Sequence, residues 1–65
     1  MKRKQLKLFR IEKELTQQQM ADKLQISSSH YTNIELGQFN PSYKVFENFY
    51  KEFGSENLWR LRQKG

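Results

Sequence analysis

A chain of 65 residues without a single cysteine has no covalent staple with which to close a small fold. Chains of this length bury only about 60% of the surface they expose when unfolded, so the core must be economical. Short helices packed around one centre meet that demand, and an all-α bundle forming a single domain over residues 1–65 is expected. The missing cysteines also remove any thiolate metal site, and the solitary His30 cannot assemble a metal cluster. No metal and no other cofactor is implied.

The punctuation divides the chain into five helices. Proline occurs once, at Pro41, and glycine only at positions 37, 54 and 65. The first helix runs from about Lys4 to Lys13, with Leu6, Phe9 and the aliphatic stem of Lys13 on one face at i, i+3, i+7. Thr16-Gln17-Gln18-Gln19 has the form of a capping box, with Leu15 and Met20 at the positions of a hydrophobic staple. Met20, Ala21 and Leu24 form the inward face of this second helix. After a turn at Gln25-Ile26, Ser27 caps a third helix, and Ile26 and Tyr31 repeat the staple spacing. Tyr31 and Ile34 face inward, and Gly37 suits the left-handed residue that ends a helix. Asn40-Pro41-Ser42 opens a fourth helix, capped by either Asn40 or Ser42. Phe46, Phe49, Tyr50 and Phe53 then recur at i, i+3, i+4, i+7 as its core stripe. Gly54 stops it, and Ser55 caps a short fifth helix carrying Leu58, Trp59 and Leu61, which cannot all point inward.

Twelve Lys and Arg against seven Asp and Glu leave a net charge of +5, which favours a polyanionic partner, most commonly nucleic acid. No stretch approaches the ~18–20 apolar residues that span a bilayer. The basic start (Lys2, Arg3, Lys4) leads into an amphipathic, repeatedly charged segment rather than a signal peptide. A cytoplasmic, nucleoid-associated protein without a membrane partner is expected. Nothing pairs a nucleophile with a base, and no glycine loop cradles phosphate, so neither an enzyme nor a small-molecule substrate is expected.

The second and third helices carry the chemistry. A helix-turn-helix lays one helix over the DNA backbone while the other presses its N-terminal half against base edges. That geometry needs a small residue where the helices cross, and Ala21 is one. It needs apolar residues behind the reading helix, here Ile26, Tyr31 and Ile34. It also needs small polar side chains in front, here Ser28, Ser29, Thr32 and Asn33.

The run Leu15-Thr16-Gln17-Gln18-Gln19-Met20-Ala21-Asp22-Lys23-Leu24, followed by Ile26-Ser27, Tyr31-Thr32-Asn33-Ile34-Glu35-Leu36-Gly37 and Asn40-Pro41-Ser42, resembles the Cro and phage-repressor (XRE-like) helix-turn-helix family. Leu6-Lys7 and Phe9-Arg10 stand where that family carries its first-helix signature, so the likeness extends over about residues 6 to 53. The resemblance implies a lambda-repressor-like bundle with the helix-turn-helix in its second and third helices. By position, Ser28, Ser29, Thr32 and Asn33 correspond to base-reading residues. Gln17 corresponds to a phosphate contact, as do Ser42, Tyr43 and Lys44 around the fourth helix. Arg10 and Glu35 correspond to an ion pair tying the first helix to the end of the reading helix. The chain departs from the family pattern at Glu14 and Gln25, where glycine is frequent, and a slightly adjusted turn is expected at each. It departs again at Tyr31, where isoleucine or valine is usual and where a buried hydroxyl needs a partner or an exit.

The expected function is a sequence-specific, double-stranded DNA-binding transcriptional regulator, a Cro-like or small repressor of a phage or mobile element. Its expected site is a palindromic operator bound by a homodimer. Leu58 and Trp59 are candidates for the dimer contact, with packing on the monomer's own core as the other reading of Trp59. An antitoxin or protein-interaction adaptor built on the same fold is the alternative. His30, on the border between faces, suits packing or a phosphate contact. Lys2, Arg3, Lys4 and Lys7 form either a basic arm along the backbone or a solvated charged terminus, and the Arg60, Arg62, Lys64 tail has the same two readings.

Overall fold

A computed structural model describes residues 2–63. Every regular element among them is helical: α1 (Lys4–Glu12), α2 (Gln17–Leu24), α3 (Ser28–Glu35), α4 (Tyr43–Phe53), a 3₁₀ turn (Ser55–Asn57) and α5 (Leu58–Arg62). Three helices start on side-chain caps. The Thr16 hydroxyl accepts from the Gln19 amide while Thr16 N–H donates to the Gln19 side chain, completing the capping box. Ser27 accepts from His30 N–H, and Ser42, rather than Asn40, accepts from Val45 N–H.

Three helices also end alike. Glu14, Gln25 and Gly37 all have positive φ (58°, 60° and 81°). Each donates its N–H three residues back, to Ile11, Asp22 and Ile34, and each following amide donates five residues back, to Arg10, Ala21 and Asn33. This is the paired bonding of the Schellman ending. The turns at Glu14 and Gln25 are therefore not adjusted to suit their side chains. Both residues adopt the left-handed conformation itself, which costs a non-glycine residue about 1–2 kcal/mol.

The core unites Leu6 and Phe9 of α1, Met20, Ala21 and Leu24 of α2, Tyr31 and Ile34 of α3, Val45 and Phe49 of α4, and Leu61 of α5. Leu15, Ile26, Phe46, Phe53 and Leu58 pack around it. Phe9, Phe49 and Phe53 form an aromatic knot with ring centroids 4.9–5.6 Å apart. α2 is the hub, packing on both α3 and α4, while α5 closes against α1 and α4.

Two expectations about the carboxyl-terminal half change. Tyr50 is not core, being 55% exposed. The buried line of α4 runs through Val45 and Phe49, and the next position along a 3.6-residue helix is rotated about 100° away from it. Asn48 is buried instead, and its amide donates to the Leu24 carbonyl at 2.9 Å, satisfying the end of α2. Ser55 lies within the 3₁₀ turn and makes no cap bond, nor does a side chain cap α5.

The left-handed residues give a direct test. Gln25 is exposed and Glu14 likewise, so glycine there removes strain without removing packing. Gln25→Gly is expected to stabilise the fold by about 0.5–1 kcal/mol, net of the entropy glycine adds to the unfolded chain. Thermal melting should rise by several degrees, since about 1 kcal/mol moves a domain of this size by 4–8 °C.

Candidate nucleic-acid interface

α2 packs against α3, and Ala21 of α2 is fully buried, as a small side chain at a close helix contact would be. The back of α3 is held by Tyr31 and Ile34, both fully buried, and by Ile26 just before its cap. Its front carries Ser28, Ser29, Thr32 and Asn33, half-buried or exposed. None of these four side chains enters a hydrogen bond among the described residues, so their polar atoms face solvent. His30 stands at the border, half-buried, with its ring edge-on to Phe39 at 5.7 Å.

The far end of α3 is fixed by one carboxylate. Glu35 is 6% exposed and receives three side chains. Arg10 Nε donates to Oε2 at 2.8 Å, the Tyr31 hydroxyl donates to the same oxygen at 2.6 Å, and Gln17 Nε2 donates to Oε1 at 3.2 Å. Arg10 Nη1 also donates to the Leu15 carbonyl at 2.9 Å, tying in the loop before α2. The buried tyrosine hydroxyl thus has its partner four residues along the same helix. Burial alone would raise the Glu35 carboxyl, but hydrogen bonds from Arg10, Tyr31 and Gln17 outweigh it and hold the group below the usual carboxylate range. The hydrogen bond to Glu35 raises Arg10. Burial, followed by the Glu35 hydrogen bond, pushes the Tyr31 phenol far above its ordinary value. Removing a single partner from such a cluster strands a buried charge.

The residues tied to phosphate by the resemblance are spread over two elements. Gln17 begins α2, with its side-chain amide on Glu35. Ser42 caps α4, Tyr43 is 83% exposed, and the Lys44 ammonium lies 3.1 Å from Glu47. That pair is exposed and stabilises little, so Lys44 can exchange it for an anion at small cost. A groove lined by Lys2, Lys4, Lys7, Arg10, Gln17 and Glu35 lies between α1 and the end of α3.

Arg3 does not join an arm. It is 2% exposed, and its guanidinium bonds to three separate parts of the chain. Nε donates to the Leu61 carbonyl at 3.0 Å, Nη1 to the carbonyls of Ile34 (2.7 Å) and Phe39 (3.0 Å), and Nη2 to Asn40 Oδ1 at 3.2 Å. Its backbone N–H donates to the Glu35 carbonyl at 2.8 Å. A cation among carbonyls at the ends of α3 and α5 is favourably placed against both helix dipoles. The basic run Lys2-Arg3-Lys4 hid this residue, and nothing local in the sequence distinguishes it from its neighbours.

At the carboxyl-terminal end Leu61 is buried, Leu58 half-buried and Trp59 45% exposed. The Arg60 guanidinium stacks over Trp59 (4.9 Å) and Phe9 (5.3 Å) and donates to the Gln5 carbonyl, so it is engaged with α1 rather than free. Arg62 lies over the Phe46 ring, and Lys64 falls outside the described residues. No helix among the described residues is long and apolar enough to cross a membrane.

The Glu35 cluster sets a pH window. Because the folded carboxyl is depressed, its contribution is complete above the unfolded value of about 4.3 and is lost as pH falls through the folded value. Tyr31 acts oppositely: its contribution is complete below about pH 10 and is lost as pH rises toward the raised folded value. Urea-unfolding free energy is expected to be flat between about pH 5 and 9 and to fall on both sides. Glu35→Gln should lower the plateau and flatten the acid limb, and an acid limb of unchanged slope would place the linkage elsewhere.

A family model described as "Helix-turn-helix domain" matches residues 4–65. Over 43 residues the chain is 54% identical to an uncharacterized HTH-type transcriptional regulator, YqaE, of Bacillus subtilis (strain 168). That match covers 66% of this chain but only 37% of the relative, so the chain spans well under half of the relative's length. No solved structure matches it significantly. The chain belongs to the helix-turn-helix domain family, of the Cro and XRE-like type.

Proposed function

We propose that this protein is a transcriptional regulator that binds duplex DNA and reads the major groove with α3. The observation that carries the proposal is the division of α3 into two faces. One is locked to the core and to Arg10, Tyr31 and Gln17 through Glu35. The other offers four small polar side chains with no hydrogen-bond partner among the described residues. Ser28, Ser29, Thr32 and Asn33 are assigned to bases, Asn33 with the paired donor and acceptor that suit adenine. Gln17, Ser42, Tyr43 and Lys44 are assigned to phosphates, which fix register without reading sequence. The net charge of +5 and the printed description of the Bacillus relative as a transcriptional regulator support this reading. The front of α3 carries no arginine, the commonest guanine reader, so direct readout is biased toward A·T pairs, with DNA deformability adding discrimination.

The described residues measure 26 × 24 × 22 Å, less than the ~34 Å of one helical turn. Two copies related by a two-fold axis would read half-sites one turn apart, with exposed Trp59 and half-buried Leu58 as candidate contacts between them. A Cro-like repressor of a phage or mobile element, acting in the cytoplasm at the nucleoid, is the setting that suits this arrangement. A second reading, an antitoxin or adaptor that grips another protein, is favoured by the exposed Leu8, Ile11 and Trp59.

Amide chemical shifts recorded while a duplex is added at low salt separate the two. Changes should concentrate at Gln17, Ser28–Asn33 and Ser42–Lys44 and leave Leu8 and Ile11 still. Absence of any change with saturating duplex would discard the DNA reading. On a preferred site, Asn33→Ala should cost about 1–3 kcal/mol at one base pair, whereas Gln17→Ala should weaken all sequences alike.

A further inference from the structure

We infer that Arg3 is a positioning residue for DNA binding: by clasping the α3–α4 loop to the rest of the bundle, it sets where the start of α4 stands relative to α3. The inference rests on the DNA reading above and adds a residue that touches no DNA. α3 and α4 share no extensive packing, since each packs on α2. Their relative placement is therefore fixed through α2 and through the loop between them. That loop has few ties of its own. Gly37, Gln38 and Phe39 bond back to the end of α3, and Leu36, Gln38, Phe39, Asn40 and Ser42 are exposed. Among the described residues, the hydrogen bonds that join it to any element other than α3 and α4 come from Arg3, which holds the Phe39 carbonyl and the Asn40 side chain. The same guanidinium holds Ile34 at the end of α3 and Leu61 in α5.

One planar, five-donor group therefore sets the loop against three fixed points: the end of α3, α5 and the start of α1. A guanidinium suits this task, because its donors diverge in a rigid plane while an ammonium presents a single point of charge. Ser42, Tyr43 and Lys44 lie two to four residues beyond Asn40, so freedom in the loop passes directly to the proposed phosphate contacts of α4. The match to the family model begins at residue 4, which leaves Arg3 outside the region the family pattern describes.

The test uses the full chain and three single substitutions, Arg3→Met, Asn40→Ala and Arg3→Lys. Arg3→Met keeps the length of the side chain and removes the donors. Asn40→Ala removes one exposed acceptor and leaves the core untouched, so it remains informative if Arg3→Met does not fold. Hydrogen exchange should quicken at Gln38–Ser42 in Arg3→Met and Asn40→Ala while α2 keeps its protection. Affinity for a preferred duplex should fall about tenfold in Arg3→Met and less in Asn40→Ala. The dependence of log affinity on log salt should flatten by about one to two phosphates' worth, close to 0.9 each. The preferred base sequence should stay the same, a combination that general destabilisation would not produce. Arg3→Lys should recover part of the lost affinity. Wild-type affinity and salt slope in folded variants would overturn the positioning role, even with faster loop exchange. The wild-type chain separates the two claims: if it binds no duplex, the DNA reading falls and positioning with it, whereas binding by wild type and variants alike overturns positioning alone.

Discussion

The Glu35 carboxylate is the point on which the rest of the molecule turns. It sits at the end of α3, where helix carbonyls already carry partial negative charge, and burial makes an anion there more costly still. Three donors offset that cost, and each comes from a different direction: Arg10 from α1, Gln17 from the start of α2, and Tyr31 from α3 itself. The result is a junction at which the rotation of α3 about its own axis is specified by hydrogen-bond geometry as well as by apolar packing. Apolar packing alone tolerates small rotations, because it is not directional. On the proposed function, a helix that presents four short side chains to a groove cannot tolerate them.

Ala21, the left-handed turn at Gln25 and the Ser27 cap work toward the same end. The small side chain allows α2 and α3 to approach, and the left-handed turn redirects the chain between the two helices. The cap then fixes where α3 begins. The strain at Glu14 and Gln25 accompanies the paired bonds that satisfy the carbonyls at each helix end. Arg3 adds a second directional fastening at the same end of α3, so both the carbonyl end of that helix and the loop beyond it are held by buried, fully bonded arginine or carboxylate groups.

Much of this was legible in the sequence because it is local. The capping box at Thr16 and Gln19, the Ser27 cap and the glycine after α3 are all read within five residues. The apolar spacing of Leu6, Phe9, Met20, Leu24, Tyr31 and Ile34 likewise follows from helical periodicity. The choice of Ser42 over Asn40 was not settled locally, since both residue types cap well and only the chain path decides. Arg3, Asn48 and Tyr50 were misread or missed for a common reason. Arg3 is buried only because carbonyls 31, 36 and 58 residues away meet it. Asn48 is buried because α4 crosses the end of α2, where an open carbonyl needs a donor. Tyr50 is exposed because the packing partner of α4 selects Val45 and Phe49 as the centre of its face. Ser28, Ser29, Thr32 and Asn33, the side chains proposed to read bases, stand apart from all of these, since local patterning already places them on the face of α3 away from the core.

The most direct test of the central claim, that α3 is held in place to read DNA, is selection by the purified protein from a randomised duplex pool at physiological salt. The account predicts recovery of a two-fold symmetric, A·T-biased motif whose half-sites are centred about 10 base pairs apart. Salt-sensitive retention of duplexes with no enriched sequence would contradict it, leaving α3 as a packed helix and the exposed apolar residues as the functional surface.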